Sequence, residues 1–493
     1  MSYSLLVANY TQLPLSVERA AAPIATLVLL SNLSATSCTP SSSSSSPSLG
    51  VRKGEGVEVD PPSSDGITRV AYIEPFIESW ASPPLGGGVP AAIPHADEVV
   101  VARVLRNLSS VCVSPCGKAV YACNEEAEGL VVALDSATLQ RSPRAKATSN
   151  GGAVVVRRIR VASWQSTLGR DPCHIACTSQ SVFVANYSSG TVAIFPLLDG
   201  SSSCSLGSCS RLLGGLGPLG AVTDRQEAYH AHCVRVSASN QGAELYTCDL
   251  GSNTVSVWNT RAVSEPRVEN QECMRRLVRV GESAEGTVRP LASVVLQPGD
   301  GTRHIALNEG ASVAYVVNEL SATVATLRLP SLTVLQRAST VALMDVGSDD
   351  VARRDLAADC YPAAVVMHPS RRALFVSNRN AFSSTIAMFA IEEATGLLVG
   401  RTMVQRLSSE KHVSIEPMEL RRVPCWPRDA VATGHGLWVA CERAATIAFL
   451  PTDAATGQFV SAGGDSVQEV LALPSVDHPA GGYRPSGLCL LPW

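Results

Sequence analysis

The chain of 493 residues carries 39 Lys and Arg against 43 Asp and Glu, a formal net charge of −4, with 17% charged and 45% hydrophobic residues. That composition excludes a disordered chain, because it supplies enough apolar side chain to bury a large core. It also argues against a nucleic-acid binder or a basic membrane-surface binder, both of which need clustered positive charge, and leaves small molecules or proteins as partners.

The chain opens on MSYSLLVANY, without a basic segment, and the apolar run at 20–30 is too short to cross a bilayer. Neither secretion nor membrane insertion is expected, which places the protein in the cytoplasm. The 15 cysteines form no C-x-x-C pair and fit reduced thiols rather than a zinc ribbon.

A repeat then organises the whole chain. A short apolar, β-favouring run ends on a small polar anchor in seven places: LLVAN at Asn9, VYACN at Asn124, VFVAN at Asn186, LYTCD at Asp249, YVVN at Asn318, LFVSN at Asn378 and LWVAC at Cys441. From Asn124 onward the anchors are 60 to 69 residues apart; the longer first interval holds a serine-rich insertion at 41–46. A second element follows each later anchor, opening an alternating strand at Thr191, Thr254, Thr323, Thr385 and Thr446, with weaker equivalents at Gly66 and Gly129. A third precedes the anchor, at His174, His232, His304, Ala364 and Asp429. Alternating apolar residues with β-branched enrichment indicate strands.

Repeated units of this size, each with four short antiparallel strands, predict an all-β seven-bladed β-propeller. One propeller is expected to span 1–493 in place of the three domains that length alone suggests. The run at 485–491 looks like a first strand without a second, and the N-terminus begins at a second strand, so the two ends are expected to share one blade and remove free sheet edges. The stretches 11–65, 199–227, 262–296 and 405–423 are expected to be surface-loop insertions. A closed propeller is complete as a monomer.

Antiparallel pairing brings the start of the first strand and the end of the second to the same rim of the central channel. That rim is predicted to collect His174, His230, His232, Arg303 and His304 from strand starts, and Asp249, Glu319, Arg379 and Glu442 from strand ends. The regular anchors are expected to satisfy buried backbone groups. The slot after the anchor holds Tyr10, Glu125, Tyr187, Leu250, Glu319, Arg379 and Glu442 in turn, so structure alone demands no charge there. Two arginines and a glutamate beside a His-x-His pair point to anion binding with acid–base chemistry.

The runs YHAHCVRV, LYTCDLGSNTVSVW, GTRHIALNEG, VVNELSATV and LFVSNRNAFSSTIAMF resemble the lactonase family of seven-bladed propellers, which includes 6-phosphogluconolactonases and 3-carboxy-cis,cis-muconate lactonizing enzymes. The resemblance implies a catalytic set of a histidine from the His230/His232 pair, Arg303, Glu319 and Arg379; from their place on the rim, His174, Asp249 and His304 are expected to bind the substrate. It implies a hydrolase for a small anionic lactone, with Glu319 activating or positioning water, a histidine protonating the leaving alkoxide, and Arg303 and Arg379 holding the substrate's anion. A cycloisomerase on the same residues and a non-catalytic scaffold are the alternatives. No cofactor or metal is expected.

Overall fold

The computed structural model describes residues 3–10, 27–33, 69–76, 105–141, 146–147, 153–198, 205–237, 243–265, 288–341, 359–381, 383–407, 410–460, 469–472 and 484–491. The anchored runs form strands, among them Ala119–Asn124, Ser181–Asn186, Glu244–Asp249, Val313–Asn318, Ala373–Arg379 and Gly436–Cys441, most of them wholly buried. The threonines open the next strands, Thr191–Pro196, Thr254–Asn259, Thr323–Arg328, Thr385–Ile391 and Thr446–Pro451. Anchor and threonine are bonded to each other. The Nδ2 of Asn186 donates to Thr191 Oγ1 at 3.1 Å, that of Asn318 to Thr323 Oγ1 at 3.0 Å and that of Asn378 to Thr385 Oγ1 at 3.2 Å. A buried amide thus holds the turn through the threonine side chain, and the expected backbone contacts are made as well by Asn186, to Thr167 O at 3.3 Å, and Asn378, to Thr340 O at 2.7 Å.

The sheets stack through apolar faces that alternate along each strand. Tyr315 and Val317 pack with Leu374, Val376 and Phe389 of the next sheet, and Phe183 and Ile194 with Val234, Leu245 and Trp258. Among the described residues seven strands line the axis: Leu108–Val113, Pro172–Cys177, Ala231–Val236, Thr302–Asn308, Tyr361–Met367, Pro427–Thr433 and Arg484–Leu491. Each contacts the next, and Arg484–Leu491 contacts both Pro427–Thr433 and Leu108–Val113. Arg484–Leu491 also pairs antiparallel with Tyr3–Tyr10, Val7 opposite Leu488.

The regular four-strand expectation needs correction at three places, one of them a separate two-stranded sheet of Arg401–Leu407 and Glu410–Glu416. Among the described residues one sheet has nine strands, because Arg69–Phe76 pairs in parallel with Ala153–Ser166 and joins the N-terminal strands to those of the next unit. Another has five, with both Leu398–Val399 and Glu419–Arg422 against Thr385–Ile391. The expected loop insertions are not wholly loops. Leu27–Leu33 is a strand within 11–65, and pairs with Tyr3–Tyr10 in the place assigned to residues near Gly66, which lie outside the described residues. Arg211–Leu213 lies within 199–227, Ala292–Val295 within 262–296, and Glu410–Glu416 and Glu419–Arg422 within 405–423. Of these stretches 11–26, 34–65, 199–204, 266–287 and 408–409 lie outside the described residues, whereas 214–227 is described and carries no strand or helix, as expected of a loop. No described helix is long and apolar enough to cross a membrane.

Candidate active site

Each axial strand carries a β-bulge near its start. The register skips Ser109, Cys173, His232, Arg303, Arg428 and Ser486, and in the sixth unit the pair Ala363 and Ala364. A bulge leaves one residue unpaired and re-aims its side chain. Here the bulged side chains reach the neighbouring strand. Ser486 Oγ donates to Leu108 O at 2.5 Å, Ser109 Oγ to Pro172 O at 2.6 Å, Cys173 Sγ to Ala231 O at 3.5 Å and Arg303 Nη1 to Ala363 O at 2.9 Å.

This register corrects the repeat alignment by one residue. His174, Cys233, His304 and Asp429 occupy equivalent paired positions, opposite Ala185, Cys248, Val317 and Ala440. His232 belongs instead with Arg303 and Arg428 at the bulge.

Glu319, the first residue after its anchor, is buried among three guanidiniums. Arg225 Nη2 donates a hydrogen bond to Oε1 at 2.6 Å, while Arg303 Nε and Arg379 Nη2 stand 2.9 and 2.7 Å from Oε2. Burial would raise the Glu319 pKa, but Arg379 and Arg303, helped by His232 and Arg225, hold the carboxyl well below the usual carboxylate range. Burial and the nearby Arg379 pull Arg303 down to about 10, which still leaves it charged at neutral pH. Arg303 and Arg379 are further fixed to backbone carbonyls, of Ala363 at 2.9 Å and Tyr361 at 3.0 Å. Even so, Arg303 Nε and Arg379 Nη2 are buried with no hydrogen-bond acceptor in good geometry.

Four rings gather beside this cluster. His230 stacks on Tyr187 at 4.4 Å, and His232 meets Tyr187 and His304 edge-on, each at 5.4 Å. His230 is committed on both nitrogens, Nδ1 at 3.2 Å from Tyr187 O and Nε2 at 3.2 Å from Glu227 Oε1. His304 Nε2 accepts from Arg303 Nη1 at 3.1 Å, and its ring lies 4.8 Å from that of His174. Burial, then the charge of Arg303, keeps both His232 and His304 neutral well below the ordinary imidazole value. His232 Nδ1 lies 3.8 Å from Cys173 Sγ, whose own proton points at the carbonyls of Ala231 and His232. With the thiol proton on a carbonyl the sulfur can accept from Nδ1, and in that tautomer Nε2, which makes no hydrogen bond among the described residues, carries the lone pair.

Of the sequence-predicted residues, His230, His232, Arg303, His304, Glu319 and Arg379 converge. His174 adjoins them through His304. Asp249 does not point the same way: its Oδ1 accepts from His230 N at 3.1 Å and from Ser252 N at 2.9 Å, which fixes the turn. Two cations were not anticipated. Arg225 comes from the segment preceding the histidine pair, and Arg428 sits at a bulge, 2.9 Å from Glu125 Oε2 and 3.6 Å from Glu442 Oε2. Arg428 was detectable: it follows Pro427 as Cys173 follows Pro172 and Ser486 follows Pro485, a proline just before each of these bulges. Arg225 lies outside the repeat and has no such signal. Among the described residues no three His, Cys, Asp or Glu side chains are arranged to hold a metal ion.

Comparison with known proteins agrees with this architecture. A family model described as "Lactonase, 7-bladed beta-propeller" matches residues 97–471. The chain is 25% identical over 296 residues to a 6-phosphogluconolactonase of Bacillus subtilis, covering 59% of this chain and 68% of that one. It is 22% identical over 298 residues to a 6-phosphogluconolactonase of Formosa agariphila, covering 59% and 70%. The periplasmic gluconolactonase of Pseudomonas aeruginosa superposes with a TM-score of 0.59 at 18% identity, over 100% of this chain and 99% of that one, a likeness of fold.

Proposed function

Because the chain belongs to the lactonase family of seven-bladed β-propellers, we propose that it hydrolyses a small anionic lactone, with the cluster around Glu319 as its active site. The same membership supports reading the nine-stranded sheet as two adjoining blades, and the ring as seven blades closed by strands from both ends.

The observation that carries the proposal is the convergence of two buried donors, Arg303 Nε and Arg379 Nη2, on one point: both are ion-paired with Glu319 Oε2, yet neither makes a well-aligned hydrogen bond. Buried donors that are poorly aligned with their only acceptor are under-satisfied, and an oxygen gaining negative charge at a lactone carbonyl would align with them better. Held rigidly in a dry site, such donors stabilise a transition state without reorganising. Glu319 is the group that holds them. With three cations on its two oxygens it is too weak a base to take a proton from water, which shifts the base role assigned to it onto His232. The neutral His232 Nε2 takes the proton as water attacks the carbonyl carbon. The tetrahedral intermediate then collapses, the ring C–O bond breaks, and the imidazolium returns the proton to the departing alkoxide. His230 and Glu227 fix Tyr187 beside it.

The test is a panel of sugar and sugar-phosphate lactones read by acid release, with and without EDTA. We expect turnover that EDTA does not reduce, and a loss on the order of 100-fold in kcat for His232→Asn. No hydrolysis by the wild type, or undiminished turnover in His232→Asn, would overturn the proposal. Ring closure of a muconate by the same protein would assign it to the cycloisomerase alternative.

A further inference from the structure

The three guanidiniums on Glu319 are not equivalent. Arg303 and Arg379 have side chains only 2% and 7% exposed, and each is tied to a backbone carbonyl as well as to Oε2. Arg225 has a side chain 36% exposed, takes Oε1 alone, and among the described residues its guanidinium otherwise bonds to the side chain of Tyr187. It therefore faces the solvent side of the cluster, where an incoming molecule meets it first.

Its backbone is nonetheless fixed. The adjacent Gln226, 2% exposed, donates through Nε2 to Leu250 O at 2.8 Å and to Asn253 Oδ1 at 2.7 Å, and accepts from Val222 N at 3.1 Å. Gly220 leaves room for that amide: a Cβ there would lie 2.0 Å from Gln226 Oε1. A clamped backbone carrying a half-exposed guanidinium is suited to recognising a planar or tetrahedral anion. Arg225 can exchange one carboxylate contact for another without moving its loop, whereas Arg303 and Arg379 would have to break buried contacts.

Building on the lactonase reading, we propose that Arg225, with Tyr187, is the specificity-determining residue of the site: it binds the carboxylate or phosphate that the lactone carries away from its reacting carbonyl. Arg303 and Arg379 then serve the carbonyl oxygen, and preference for anionic over neutral lactones resides in Arg225.

The experiment compares kcat/KM for glucono-δ-lactone and its 6-phosphorylated counterpart in wild type, Arg225→Gln and Arg225→Lys. The preference for the phosphorylated substrate should fall on the order of 10- to 100-fold in Arg225→Gln, mostly through KM, and recover in part in Arg225→Lys. Equal losses on both substrates would overturn the proposal and make Arg225 a positioning residue for Glu319; no loss on either would also overturn it. If the wild type hydrolyses neither lactone, the functional reading fails and binding of 6-phosphogluconate against gluconate decides the inference separately. Tighter binding of the phosphorylated acid that Arg225→Gln abolishes supports it, and identical binding to both proteins refutes it.

Discussion

At Glu319 the sequence and the structure point to different chemistry. A carboxylate next to a histidine pair reads as a base, but the reading omits Arg225 and cannot show that both oxygens are occupied. Two consequences are measurable. First, the acid limb of the kcat/KM profile should report His232, whose folded pKa is depressed, and so lie well below the ordinary imidazole value of about 6.5. Glu319→Gln should lower kcat while leaving that limb in place; a limb that disappears with Glu319 would return the base role to it. Second, Glu319 is a buried counter-ion. Its folded pKa is depressed, so its stabilising effect is complete above the unfolded value of about 4.3 and is lost as pH falls from there through the folded value. Glu319→Gln leaves buried cations uncompensated and should cost about 3–5 kcal/mol in urea denaturation at pH 7, with a shallower loss of stability below pH 4 than in the wild type.

At the scale of the element, the anchors and the five threonines that follow the later ones were legible because each such pair closes one short turn, and a turn repeats its chemistry. The bulges were not. A bulge shifts register by one residue without changing the apolar alternation on either side, so His232 was aligned with His174 and His304 rather than with Arg303. The turns offer a test of their own. The residue before the third strand has positive φ in four units: Gly190 at 60°, Asn253 at 55°, Ala322 at 49° and Ala445 at 51°. Glycine and asparagine accept that region, whereas alanine in it is strained by about 1–2 kcal/mol. Ala445, which is not buried, should therefore gain about 0.5–1 kcal/mol on replacement by glycine. Ala322 is 4% exposed, and losing its buried methyl costs about 0.8 kcal/mol, so Ala322→Gly should be nearly neutral. Urea midpoints of the two variants check the contrast.

At the scale of the molecule, seven strands around one axis were foreseeable from the repeat, since no single unit can bury both of its faces. The parallel pairing of Arg69–Phe76 with Ala153–Ser166 was not, because it joins strands far apart in sequence across long segments with no periodic signal. The proposed seven-bladed ring would depend on the strand Arg484–Leu491. Arg484–Leu491 pairs with Tyr3–Tyr10 and contacts the axial strands on both sides, and Ser486 Oγ and Leu488 N bond to Leu108 O and Asp429 Oδ2 across them. Removing residues 484–493 would expose the edge of Tyr3–Tyr10, leave the buried Asp429 carboxylate without one of its donors, and separate two neighbouring units. If both ends close the ring as proposed, the truncated chain should aggregate, or lose the single cooperative unfolding transition expected of the full chain, in scanning calorimetry of the two side by side. A single transition at an unchanged midpoint would show that closure contributes nothing to stability.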